Sequence, residues 1–388
     1  MNRVLKRILA VTWPAMLLAG VVATPCRAFD IAYRVVDLGV LTPGGTSAGV
    51  AVSSQNRVAG YGLSVTTSTI AASTNSSGRL VELGILPSGR TSAAMGISPG
   101  GVVVGGGEIK ISSKSNIYGT HAFLSTAPGT IVDIHDPSLN LVFPNSTAHA
   151  ANDAGRIVGF VQTADRMTTR GFFSDTPGTM SVMGTLGGHD SRANGVNASG
   201  VIVGTSDTAT PGFTHAFISR GDALVDLGGT GSSSGNAIND LGHIVGSMGI
   251  AGRSGGSHAF FTTASGGFVD LGVLSGTDSS VALGINNRDV IIGTSSSSST
   301  GLSNAFIDFD PSKPNSMVNL NSLIDPSSGW VLNSASGINA LGNITGTGKF
   351  QGQDRAYLLV AAIPEPSVVM LTTLSLSCLA AWRMRGRF

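Results

Sequence analysis

One pattern returns along this chain with near-constant spacing. Its best-formed copy reads Gly284-Ile285-Asn286-Asn287-Arg288-Asp289-Val290-Ile291-Ile292-Gly293, with Ser280 four residues ahead of it. Seven ten-residue copies fit without a gap, starting at Ala51, Gly96, Ala150, Gly195, Ala237, Gly284 and Gly337. All end on glycine, at Gly60, Gly105, Gly159, Gly204, Gly246, Gly293 and Gly346. Successive copies begin 45, 54, 45, 42, 47 and 53 residues apart. A period of this length marks a stack of supersecondary units, each too small to bury its apolar face without its neighbours.

Two further elements travel with the first. One is the Val36-Asp37-Leu38-Gly39 type, which returns at Glu82, Asp133, Asp226 and Asp270, weakly at Asn319, and in degenerate form at Ser181-Val182-Met183-Gly184. The other is His121-Ala122-Phe123, repeated as His215-Ala216-Phe217 and His258-Ala259-Phe260, with variants at Gly171, Asn304 and Arg355 and only a trace near Thr69-Ile70-Ala71.

Each unit therefore supplies four short strands. The first ends in the Gly-Ile-Asn triplet and the second is the Val-Ile-Val-Gly run. Links such as Asn197-Ala198-Ser199-Gly200 between them suit a type I turn, with Asn first and Gly fourth. The third strand carries His-Ala-Phe. The fourth alternates Val and Leu on one face with Asp on the other. No stretch between the two ends shows a helical period, so the fold class is all-β.

Four strands in roughly 45 residues match a propeller blade, and the expected architecture is a seven-bladed β-propeller of four-stranded blades. A β-solenoid is the alternative. The chain starts with a fourth-type strand at residues 33–38 and ends with a third-type strand at 354–360. Seven complete blades then require the first strand to finish the last blade, which closes the ring and leaves only short, protected sheet edges.

Composition narrows the function classes. Only 12% of residues are charged and 54 are glycine, which excludes a coiled coil, and the glycines do not fall every third residue as in collagen. Of 23 basic residues, seven lie in the terminal segments, so the region between carries 16 basic against 22 acidic residues. That surface argues against nucleic acid and anionic membrane as partners. The two cysteines, Cys26 and Cys378, lie outside the repeats, which leaves no disulfide framework, thiolate metal site or cysteine nucleophile within them.

The ends read as addresses. Residues 1–28 have a charged start (Arg3, Lys6, Arg7), an apolar run and a small residue, Ala28, at the expected cleavage point of a signal peptide. At the other end, Pro364-Glu365-Pro366 precedes an apolar run at 368–382 and the basic cap Arg383, Arg385 and Arg387. This order resembles the PEP-CTERM sorting signal. The resemblance implies a short membrane helix within residues 363–388, recognition by an exosortase-type enzyme, and a cell-surface or extracellular protein anchored in the membrane transiently, only through that segment before it is processed. The triplets of the intervening domain, residues 29–362, resemble the HAF-repeat family of extracellular proteins, whose resemblance implies no established activity.

No catalytic set stands out. The repeated histidines His121, His215 and His258 fall at equivalent places in different units, too far apart to converge on a metal at about 2.0–2.1 Å. They are expected to bond to a neighbouring blade or turn. The repeated acids Asp37, Glu82, Asp133, Asp226 and Asp270 are expected to cap turns or accept from backbone N–H groups. No aspartate-rich calcium loop, Gly-x-Ser-x-Gly elbow or phosphate loop with its lysine is present, and neither a cofactor nor a metal is expected. Candidate binding residues are His189 and Asp190, in a loop ahead of a first strand, and Trp330, the lone tryptophan between the two ends. Insertions at 108–119 and 135–145 are expected to border any site. The reading is an exported structural or interaction component of the cell surface or extracellular matrix, with exopolysaccharide or surface proteins as partners. A polysaccharide hydrolase or lyase is the alternative.

Overall fold

The computed structural model describes residues 33–63, 68–111, 117–221, 223–229, 231–250, 256–263, 266–313 and 315–361. They form seven antiparallel four-stranded sheets packed in a ring, a seven-bladed β-propeller. Helical structure among them is limited to three short turns, Pro137–Leu139, Leu320–Leu323 and Pro326–Ser328.

Blade 4 shows the plan. Strand a (Gly187–Val196) lines the central channel, followed outward by strand b (Ile202–Thr208), strand c (Thr214–Ser219) and strand d (Leu224–Asp226). The a–b link is the expected turn: the Gly200 N–H donates to the Asn197 carbonyl at 3.0 Å, and Gly200 sits at φ 76°, where a side chain would be strained.

The last blade is built from both ends of the repeat region. Strand Tyr33–Asp37 lies against Gln353–Ala361, with Tyr33 opposite Ala361 and Asp37 opposite Tyr357. It completes the sheet begun by Trp330–Ile338 and Ile344–Phe350. The ring is closed by main-chain pairing, as the strand order requires.

The core is divided among the blade junctions. Apolar clusters form between consecutive blades, for example Leu38, Val52, Val58, Ala72 and Leu358 between blades 7 and 1, and Val203, Ala216, Ile244 and Phe260 between blades 4 and 5. The aromatic of the His-Ala-Phe element (Phe123, Phe172, Phe217, Phe260, Phe306, Tyr357) is fully buried, worth about 1.5–3 kcal/mol each. Its ring packs against the glycine that ends the repeat core. A Cβ at Gly204 would lie 2.0 Å from the Arg192 carbonyl oxygen and 2.7 Å from the Phe217 ring. Close approach of strands a and b, and not a turn, fixes that glycine.

The serine ahead of each core seals a junction. Ser92 Oγ accepts from the Ala71 N–H at 3.0 Å and donates to the Gly84 carbonyl at 2.6 Å. Ser47, Ser191, Ser233 and Ser280 make the same pair of bonds. Buried N–H and C=O groups beyond reach of the ladders are thereby satisfied. In blade 7 the position is Asn333, which donates to the Ser303 carbonyl.

Candidate functional site

Strand a carries a feature that places side chains in the channel. In every blade the a–b register slips by one residue, between Gly49/Ala51, Ala94/Gly96, Ala148/Ala150, Ala193/Gly195, Gly235/Ala237, Ala282/Gly284 and Ala335/Gly337. The extra residue of such a bulge has no ladder partner, and the bulge re-aims it. These residues are Val50, Met95, His149, Asn194, Asn236, Leu283 and Ser336, and all of them line a central cavity of about 710 Å³.

The lining is uneven around the ring. In blades 3 to 5 the bulge residue is polar and tied to the next blade: Asn194 Nδ2 donates to the Gly235 carbonyl at 2.8 Å, and Asn236 Nδ2 to the Ala282 carbonyl at 2.9 Å. The His149 ring meets Phe160 edge-on, with centroids 5.2 Å apart. Burial pushes the His149 imidazole below the usual histidine range, and the nearby Arg192 cation acts the same way, against hydrogen bonds with Asn194 and the Ala193 backbone. Opposite stand Leu283, Val50 and Met95, the last 38% exposed.

Above the bulges runs a collar made by the asparagine of the Gly-Ile-Asn triplet. Asn152 Nδ2 donates to the Asn197 carbonyl, Asn197 to Asn239, Asn239 to Asn286, Asn286 to Asn339, and Asn339 to Ser53, at 2.9 to 3.2 Å. The same side chains cap their own turns through Oδ1, as in the Val201 N–H bond to Asn197 at 3.0 Å. Serine replaces asparagine in blades 1 and 2, where the Ser98 hydroxyl donates to Asp153 at 2.8 Å instead. The rim carboxylates are also engaged. Asp153 accepts from the Gly100 N–H, and Asp240 from the Ala198 N–H and Asn287 Nδ2.

The outer rim carries the repeated histidines. Each bonds to the strand d aspartate of its own blade through Nδ1: His121 to Asp133 at 2.7 Å, His215 to Asp226 at 2.9 Å and His258 to Asp270 at 2.9 Å. This corrects the expected partner, a neighbouring blade or turn; adjacent antiparallel strands put the two side chains on one face, within reach. The aspartates accept from the N–H two residues on, as expected, at His135, Gly228 and Gly272. In blade 7, Arg355 stands for the histidine and bonds Asp37 Oδ2 at 3.0 Å. In blade 2 the His135 ring stacks on His121 with centroids 4.1 Å apart.

The residues named from sequence lie elsewhere. His189 and Asp190 belong to strand a of blade 4 and not to a loop. They stand at the end of that strand remote from the collar and do not line the cavity. His189 Nδ1 lies 3.0 Å from Asp190 Oδ1, which also accepts from the Thr169 N–H at 2.8 Å. Trp330 opens strand a of blade 7, stacked on Phe350 at 5.1 Å and edge-on to Tyr357 at 6.1 Å. It packs within its blade, apart from His189. Of the insertions, residues 112–116 lie outside the described residues. The stretch 135–145 ties into the fold: His135 Nδ1 and Nε2 meet Ser146 Oγ at 2.8 Å and Asn140 Oδ1 at 3.0 Å. No group of three metal-ligating side chains occurs among the described residues.

Ala28 and Pro364, Glu365 and Pro366, with the segments around them, also lie outside the described residues. Among the described residues no helix is long and apolar enough to cross a membrane.

No family model and no curated protein matches the chain. Solved structures do. Puromycin hydrolase is 13% identical over 84% of this chain and 56% of that one, with a TM-score of 0.50. TolB from Acinetobacter baumannii is 12% identical over 57% of this chain and 53% of that one, with a TM-score of 0.40. The β-propeller domain of the Trilobed protease from Pyrococcus furiosus is 10% identical over 65% and 88%, at 0.33. This chain thus spans little more than half the length of the first two. At 13% identity the likeness to puromycin hydrolase is one of fold alone.

Proposed function

We propose that this chain is an exported propeller of the cell surface or extracellular matrix. It acts by binding exopolysaccharide or surface partners and is sorted by an exosortase-type system. One observation favours binding over catalysis: most of the asparagine and aspartate side chains that reach the channel are spent holding blades together. Asn194 and Asn236 donate across junctions, the collar asparagines do the same, and Asp153 and Asp240 accept from neighbouring turns. A general acid or base needs a group within reach of substrate and free to exchange a proton. An open cavity lined by apolar side chains and by polar groups already held in place suits recognition.

Export rests on the two ends of the sequence. Replacing Pro364, Glu365 and Pro366 together by alanine, in cells that make the protein, is expected to leave it with the membrane fraction. The unaltered protein is expected at the surface, sensitive to protease added to intact cells. Identical distribution of both forms would contradict the sorting part of this reading.

A further inference from the structure

The repeats provide an internal comparison at the outer histidines. In blade 2 the ring of His135 covers one face of His121. In blade 4 the matching residue after Asp226 and Leu227 is Gly228, which has no side chain for that role. His215 there borders an open cleft of about 250 Å³, lined also by Thr208, Thr210, Phe213, Gly229 and Gly231.

We propose that this cleft is a subsite for one neutral pyranose residue of a polysaccharide. Phe213, 45% exposed, offers a flat apolar face of the kind on which the C–H side of a sugar ring rests. Asp226 holds Nδ1 of His215 at 2.9 Å, which fixes the ring and leaves Nε2 for a ligand hydroxyl. The Thr210 hydroxyl, without a hydrogen bond of its own among the described residues, is a second partner. Gly229 and Gly231 leave room for the ligand to approach the main chain. Among the described residues no lysine or arginine lines the cleft, which favours a neutral ligand over an anion. The space lies below the about 300–1,000 Å³ of drug-sized sites and suits a single ring of a longer chain.

This subsite rests on the glycan-binding reading above, and its test separates the two. The protein lacking residues 1–28 and 363–388, which keeps every strand of the ring, is titrated calorimetrically. The probes are neutral tetrasaccharides of glucose, mannose, galactose and N-acetylglucosamine, with a sulfated tetrasaccharide as comparison. At least one neutral probe is expected to bind, and more tightly than the sulfated one. Phe213→Ala is expected to weaken that binding tenfold or more. Gly231→Leu adds a bulky side chain to a residue that lines the cleft, at a position where a Cβ meets no atom nearer than Gly249 at 3.8 Å; it is expected to abolish binding with the melting temperature unchanged. No binding of any neutral probe, tighter binding of the sulfated one, or wild-type affinity in both variants overturns the subsite. If Gly231→Leu still holds the producer's whole exopolysaccharide as well as the unaltered protein does, the subsite fails and the matrix role stands. If the unaltered protein does not hold that polymer, the matrix role itself fails.

Discussion

Glycine at the end of each repeat core is set by distance. With 2.0 Å between a Gly204 Cβ and the Arg192 carbonyl oxygen, the strands must separate or the Phe217 ring must move. Gly204→Ala is therefore expected to destabilise the protein by about 1–3 kcal/mol, the range for an overfilled core, measurable by denaturant unfolding. His149 makes a different prediction. Its imidazole is held below the histidine range in the folded protein, so the unfolded chain binds a proton that the folded one does not. That contribution is fully present above the unfolded value of about 6.5 and is lost as pH falls below it. Burial lowers His135 likewise, with His121 adding to the effect. Stability is expected to drop between pH 7 and 5, and to drop less in His149→Asn, which installs the residue type that Asn194 and Asn236 provide in the next two blades. An unchanged pH dependence in that variant would remove the assignment.

At the level of elements, the strand closing the ring is the part most exposed to test. Strand Tyr33–Asp37 is held by its register on Gln353–Ala361 and by the half-buried Arg355–Asp37 pair. Asp37→Arg and Arg355→Asp are each expected to lower stability by about 1 kcal/mol, toward the upper end for a pair still in contact with water. The double exchange is expected to recover part of the loss in a mutant cycle. This closure was legible in the sequence, because counting strand types left one fourth-type strand at the start and none at the end. So were the turns, through Asn197 and Gly200. The bulges were not. The residue before each core (Val50, Met95, His149, Asn194, Asn236, Leu283, Ser336) varies, and variation within a repeat carries no period to detect. The collar was half legible: asparagine marked the turn, but its bond to the next blade depends on ring geometry. His189 was misplaced because a Gly-Gly pair ahead of it suggested a loop, whereas Gly187 and Gly188 open a long strand.

For the whole molecule, asparagine side chains of the channel tie each blade to the next, and the proposed recognition would fall to the cavity and to outer clefts where the repeats depart from one another. The direct measurement incubates the protein lacking residues 1–28 and 363–388 with the producing organism's exopolysaccharide, following retention and polymer length in the same tube. Retention with polymer length unchanged is the predicted result. Shortened polymer would contradict the account and make the propeller an enzyme.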